Sequence, residues 1–185
     1  MGELLVWRHP RASNIAGRCI GRTDVVADPR KIRRLANRIA RYAASYGIAR
    51  EVWTSPLKRS ALVGASLKAR GWIHRIDNGL SEIDFGEWDG RAWSTIEWAH
   101  VAAWEADFMH ARPGGGESLA MLFDRVAACI QRLPAHALIV GHAGWINAAR
   151  WLSERDDLPT PRTWPRAPRY GALARIHTRR EEIPR

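Results

Sequence analysis

The sequence predicts an α/β fold in three layers, helices covering both faces of a mostly parallel central sheet. Two observations carry that expectation. Short apolar runs alternate with segments of helical periodicity along most of the chain, the pattern of strands joined by helices. The clearest runs, Leu4-Leu5-Val6-Trp7 and Ala137-Leu138-Ile139-Val140, are apolar at every position and stop abruptly at histidine-bearing loops. They read as buried strands whose carboxyl ends deliver polar groups to one rim.

Taken in order, residues 4–7 form the first strand, which ends at Arg8-His9-Pro10. Asp28-Pro29 then supplies a side-chain cap and a proline at the first helical position. Behind it Ile32, Leu35, Ala36, Ile39 and Ala43 recur at helical spacing, with arginines on the opposite face. Residues 51–54 read as a second strand. Ser55-Pro56 repeats the cap-plus-proline signature and predicts a helix to about residue 69, and residues 72–76 give a weaker third strand. Residues 80–112 hold acidic side chains and clustered tryptophans without a clear period. After Gly114-Gly115-Gly116, residues 117–133 resume helical spacing through Leu119, Leu122, Val126 and Ile130. The strand at 137–140 leads into Gly141-His142-Ala143-Gly144 and a helix over 145–152. Residues 171–177 read as a last strand. No internal repeat is visible, and residues 1–185 are expected to form a single domain.

The net charge of +10 is carried almost wholly by arginine. Much of it lies on one helix face (Arg30, Arg33, Arg34, Arg38, Arg41) and beyond Arg162, the spread expected of a solvated surface. No nucleic-acid-binding motif accompanies it, so no nucleic-acid partner is expected. A positive field does steer anionic substrates. No apolar run approaches the length of a membrane span, and the charged pair at Arg8-His9 comes too early for a signal peptide. No membrane partner is expected, and the expected location is the cytoplasm. Cys19 and Cys129 lack metal-ligand spacing and are expected as free thiols. Neither a metal nor another cofactor is implied.

In open α/β sheets, ligands bind beyond the carboxyl ends of the strands. Three such ends present suitable groups here: Arg8-His9, His142, and the helix start that carries Lys58 and Arg59. A helix N-terminus attracts anions, and the planar guanidinium fork grips two phosphate oxygens at once. Together they make a phosphate pocket. Singly, each is an ordinary residue: a strand-end histidine, a solvated arginine, a surface glutamate at position 82.

Their order carries a resemblance. The segments Leu-Val-Trp-Arg-His-Pro, Trp-Thr-Ser-Pro-Leu-Lys-Arg-Ser, Leu-Ser-Glu-Ile-Asp-Phe-Gly-Glu-Trp-Asp-Gly, Pro-Gly-Gly-Gly-Glu-Ser and Ile-Val-Gly-His-Ala-Gly resemble the histidine phosphatase superfamily, of phosphoglycerate mutase-like fold. The match runs from Leu4 to about Trp151. Residues 17–25 and 84–91 look like the α-ribazole phosphatase branch of cobalamin synthesis.

The resemblance implies a phosphomonoester phosphatase working on a small phosphorylated substrate, sharpest as α-ribazole 5′-phosphate. His9 would be the nucleophile, forming a phosphohistidine, with Arg8, Arg59 and His142 on the phosphoryl oxygens. Glu82 is similar in position to the proton donor, its pKa raised if Asp84 and Glu87 lie close, and Asp84 is the fallback acid. The family's Gly-Glu-Thr after the nucleophile is replaced by Pro10, Arg11 and Ala12. Pro10 removes an N–H that could meet the phosphate, and Ser13 or Asn14 stands in for the missing hydroxyl. The leaving group is expected against residues 17–24, including Arg22, and against the Trp-rich stretch from Trp88 to Trp104. Other readings are a sugar-phosphate or nucleotide phosphatase, a phosphoglycerate mutase, and a catalytically dead basic binding module. The family also suggests a homodimer.

Overall fold

A computed structural model describes residues 2–178. Five strands, β1 (Gly2–Arg8), β2 (Glu51–Thr54), β3 (Ile73–Ile76), β4 (Leu138–Gly141) and β5 (Leu173–Thr178), form one sheet in the order β3-β2-β4-β1-β5. All neighbours are parallel except β5, which runs antiparallel along the β1 edge. The helices are α1 (Pro29–Ser45), α2 (Lys58–Lys68), α3 (Trp98–Ala106), α4 (Leu119–Arg132) and α5 (Ala143–Glu154).

Alternation along the strands divides the core into two layers. Trp7, Val52, Leu138 and Val140 face α1 and α2, meeting Ile32, Leu35, Ile39, Val63 and Leu67. Leu4, Val6, Ile139 and Ile176 face the other way, against Leu122, Val126 and Ile130 of α4 and Ile146 of α5. The sandwich is therefore α/β/α, as the alternation of strands and helices predicts.

The connections create a crevice. From β1 the chain leaves through α1 on one face, and from its neighbour β4 through α5 on the other. Adjacent parallel strands whose following helices diverge open a cleft between their carboxyl ends. Arg8 pairs with Gly141 in the register of these strands. His9 and His142, the next residue on each, consequently emerge side by side.

Two local differences from the sequence reading have physical causes. The helix expected from Ser55 begins only at Lys58, with Leu57 at its N-cap; the Ser55 hydroxyl bonds His142 at 2.7 Å and accepts the Leu57 N–H at 3.3 Å, bracing the turn before the helix. The stretch with no clear period, residues 80–112, holds α3 and 3-10 turns at 86–88 and 93–95, and is flanked by two more at 78–80 and 113–115. A third small core of Cys19, Trp88 and Ile96 pins this stretch to the loop after β1. Cys19 and Cys129 are free and buried, and burial pushes both thiols up to about 12. Among the described residues, no helix is long and apolar enough to cross a membrane.

Candidate active site

His9 is 4% exposed at the end of β1. Its Nδ1 lies 2.8 Å from the carbonyl of Pro10. A carbonyl only accepts, so Nδ1 carries the proton and Nε2 keeps its lone pair. Burial, then the Arg59 and Arg8 charges, pushes His9 down to about 3. It is a neutral imidazole whose lone pair sits on Nε2. Pro10 lacks an N–H but contributes through its carbonyl, which sets the tautomer.

His142 is fully buried, its ring centroid 5.0 Å from that of His9. Burial and Arg59 hold its pKa well below the ordinary value. Nε2 pairs with the Ser55 hydroxyl at 2.7 Å, while Nδ1 is buried with no hydrogen-bond partner among the described residues. An unpaired buried ring nitrogen is costly, and an oxygen of a bound ligand would relieve it.

Two guanidinium groups frame these rings. Arg59, in the first turn of α2, is 1% exposed. It donates to the carbonyls of Thr23 at 2.8 Å and Gly21 at 2.5 Å. Arg8 lies 3.8 Å over the Tyr170 ring and donates Nη1 to the Pro168 carbonyl. Its Nε is buried and unpartnered, which leaves the Nε edge free for a bidentate anion. Burial lowers both guanidinium pKa values; for Arg59 the Glu82 charge is the largest opposing influence, and for Arg8 Tyr170 and then Glu82. Neither arginine forms an ion pair with a carboxylate among the described residues. Two cations without a paired anion, Arg59 buried and Arg8 half-buried, stand beside two neutral histidines and make a receptor for one.

Glu82 is 7% exposed and lines the adjoining cavity with Arg8. It accepts from the N–H of Gly144 at 3.2 Å and from its own neighbour Ile83 at 3.1 Å. A Cβ on Gly144 would sit 2.5 Å from Glu82 Oε1, so this carboxylate explains the glycine after His142-Ala143. The Glu82 loop is laced by Arg125, which bonds the Gly79 and Ser81 carbonyls at 2.9 Å and pairs with Glu117 at 2.7 Å.

Several sequence expectations are redirected. Asp84 accepts from Gly86 and pairs with Arg22 at 3.6 Å, and Glu87 is exposed on the outer side. Neither lines the cavity, so the charges around Glu82 are Arg8 and Arg59 and not those two carboxylates. Arg22 is exposed and engaged by Asp84. Lys58 and the N–H at the start of α2 are both taken by Asp24, so no open anion site remains there. Asn14 is exposed with φ at 57°, a turn conformation that Asn tolerates. It lines a separate shallow groove with Ser13. Trp88 is buried behind the cavity wall, where Trp93 and Trp104 stand instead.

Some functional neighbours escaped sequence reasoning. Tyr170 stacks on Arg8 and lies 5.6 Å from the His9 ring, yet sits in a Pro/Arg-rich connector without a motif. Asp89 accepts the N–H groups of Gly21 at 3.0 Å and Thr23 at 2.9 Å, holding the loop whose carbonyls grip Arg59. Burial would raise its pKa, but these hydrogen bonds, with those from the Thr23 hydroxyl and Arg22, hold it below the usual range. Its place in the Asp-Phe-Gly-Glu-Trp-Asp-Gly segment was the available signal.

The cavity beside Glu82 has a volume of about 500 Å³. It runs between Phe85, Trp93, Trp104, Phe108 and Trp164 towards Asn147 on α5.

A mostly parallel sheet with two histidines and two arginines without carboxylate partners at its carboxyl edge defines an α/β protein with a site suited to an anion. The chain belongs to the histidine phosphatase superfamily (branch 1), whose family model matches residues 4–183. Among solved structures it is similar to a mycobacterial glucosyl-3-phosphoglycerate phosphatase, with a TM-score of 0.74 and 22% identity over 95% of this chain and 89% of that one. A phosphoglycerate mutase from Thermus thermophilus matches with a TM-score of 0.64 and 28% identity, over 86% and 88%. No curated protein matches the sequence.

Proposed function

We propose that the chain is a phosphomonoester phosphatase acting through a phosphohistidine at His9. The observation that carries this reading is the pair of guanidiniums, buried Arg59 and half-buried Arg8, that lack a carboxylate partner among the described residues and stand near a neutral histidine.

The Nε2 lone pair of His9 attacks phosphorus as the bond to the ester oxygen breaks, and the leaving oxygen takes the Glu82 proton. Charge on the phosphoryl oxygens is met by Arg8, Arg59 and His142, contacts worth most in the transition state. The phosphorylated ring is cationic, and the Pro10 carbonyl at Nδ1 stabilises it. Water then attacks phosphorus, returns a proton to Glu82 and releases His9 and inorganic phosphate.

α-Ribazole 5′-phosphate is the sharpest substrate proposal. It rests on the resemblance of residues 17–25 and 84–91 to that branch and on an aromatic cavity suited to a flat ring. The test is a rapid acid-free quench during turnover of a panel containing α-ribazole 5′-phosphate, 3-phosphoglycerate and simple aryl phosphates. Base-stable, acid-labile phosphate on the wild-type protein and none on His9→Ala is the expected result. Equal labelling of His9→Ala removes the nucleophile assignment. A panel in which 3-phosphoglycerate is turned over best removes the α-ribazole proposal alone.

A further inference from the structure

Asn147 is out of place in its surroundings. It lies within α5 between Ile146 and Ala148, both fully buried, and is itself 3% exposed. Asparagine is a mediocre helix former, and burying an amide is unfavourable unless both ends are bonded. One end is accounted for: Nδ2 donates to the Pro165 carbonyl at 2.8 Å, tying α5 to the 159–170 segment. Because that carbonyl can only accept, the bond also fixes which end of the amide is oxygen. Oδ1 has no hydrogen-bond partner among the described residues, and the residue lines the cavity. The walls leading to it are the rings of Trp104, Phe108 and Trp164, with centroids 5.5 Å and 6.2 Å apart in succession.

The cavity thus has a charged reacting end at Arg8 and Glu82, apolar aromatic sides, and one bare acceptor on α5. A small phosphorylated acid would leave the aromatic walls wet and that oxygen unpaired. A flat ring bearing a donor satisfies both.

We propose that Asn147 is a specificity-determining residue whose Oδ1 accepts a hydrogen bond from a hydroxyl or amino group on an aromatic leaving group. This rests on the phosphatase reading and narrows its substrates to esters whose flat ring carries a donor remote from the phosphate; the dimethylbenzimidazole of α-ribazole 5′-phosphate carries none, so the two substrate proposals compete and the ester series separates them.

The experiment compares 1-naphthyl phosphates bearing hydrogen, hydroxyl or methoxy on the distal ring. The methoxy ester keeps the oxygen of the hydroxyl ester and adds one methyl group, but lacks its donor. The wild type should prefer hydroxyl over methoxy by about tenfold in kcat/KM. Asn147→Leu, with melting followed to check that it folds, should bring the ratio close to one. Asn147→Ser is the second variant and should also lower it. No preference in the wild type, or a preference kept by a folded Asn147→Leu, overturns the proposal. Equal loss on all three esters overturns it too, showing an anchor for Pro165 only. Should no ester be hydrolysed, the phosphatase reading has failed. Quenching of tryptophan fluorescence by dihydroxynaphthalene against its monomethyl ether then tests Asn147 by itself: a preference for the diol that Asn147→Leu abolishes supports the inference, and its absence sinks it.

Discussion

The phosphate end and the aromatic cavity adjoin each other but are built on different terms. Arg8, His9 and His142 stand at the ends of adjacent strands, where ladder hydrogen bonds and register set their spacing. The aromatic walls of the cavity come from 80–116 and 159–170, segments of 3-10 turns, one short helix and prolines joined by ring contacts. The reacting groups sit where the sheet leaves little freedom, whereas the walls can change residue by residue without disturbing a strand. Chemistry should therefore respond to changes at the strand ends for every ester, and selectivity to changes in the walls.

The largest effect that sharpens this contrast concerns Glu82. Its replacement by glutamine keeps the shape and removes the transferable proton. Hydrolysis of an alkyl phosphate should slow by roughly 10²–10³-fold. A p-nitrophenyl ester, whose leaving group needs no proton, should lose far less. The dependence is on leaving-group basicity, not shape. Equal losses on both esters, or a larger loss from Asp84→Asn, would move the acid elsewhere.

A wall residue should behave in the opposite way. Trp104 contacts Phe85 and Phe108 at centroid distances of 6.4 Å and 5.5 Å and faces the cavity. Trp104→Ala should raise KM for a naphthyl ester by about thirtyfold through lost stacking and burial. Turnover of methyl phosphate should stay within about twofold, since that ester never reaches the wall. If both esters suffer alike, the wall supports the reacting groups and the division between the two regions fails.

The same division explains what was legible in the sequence. Strands β1 and β4 announce themselves as continuous apolar runs, and their ends deliver His9 and His142 to one crevice by topology alone. Arg59 is readable because the α2 start is signalled by Ser55-Pro56, even though the serine turns to His142. Glu82 is harder: its loop is shaped by Arg125 and Glu117, distant in sequence and joined only in the fold. Asn14, Arg22 and Trp88 were placed at the substrate by proximity to the motifs. Three-dimensional competition decides otherwise, because Asp84 claims Arg22, a turn claims Asn14, and packing with Cys19 claims Trp88. Tyr170 and Asn147 carry no local signal, since each gains meaning from a partner on another segment.

The last expected effect is on stability and distinguishes the two regions by pH. His9 is pushed down to about 3 and His142 well below its ordinary value, whereas an unfolded chain protonates histidine near 6.5. Between those values the unfolded state binds protons that the native state refuses. Stability contributed by the neutral buried rings is thus complete above about pH 6.5 and declines as the pH falls toward 3. Between pH 7 and pH 5 the loss should be roughly 2 kcal/mol per histidine. Urea melts of wild type and His9→Gln at both values isolate this contribution from that of the exposed histidines. The variant should lose less stability on acidification, while Trp104→Ala should track the wild type. Parallel loss in His9→Gln would mean that His9 is protonated in the folded protein, and a cationic ring has no lone pair with which to attack phosphorus.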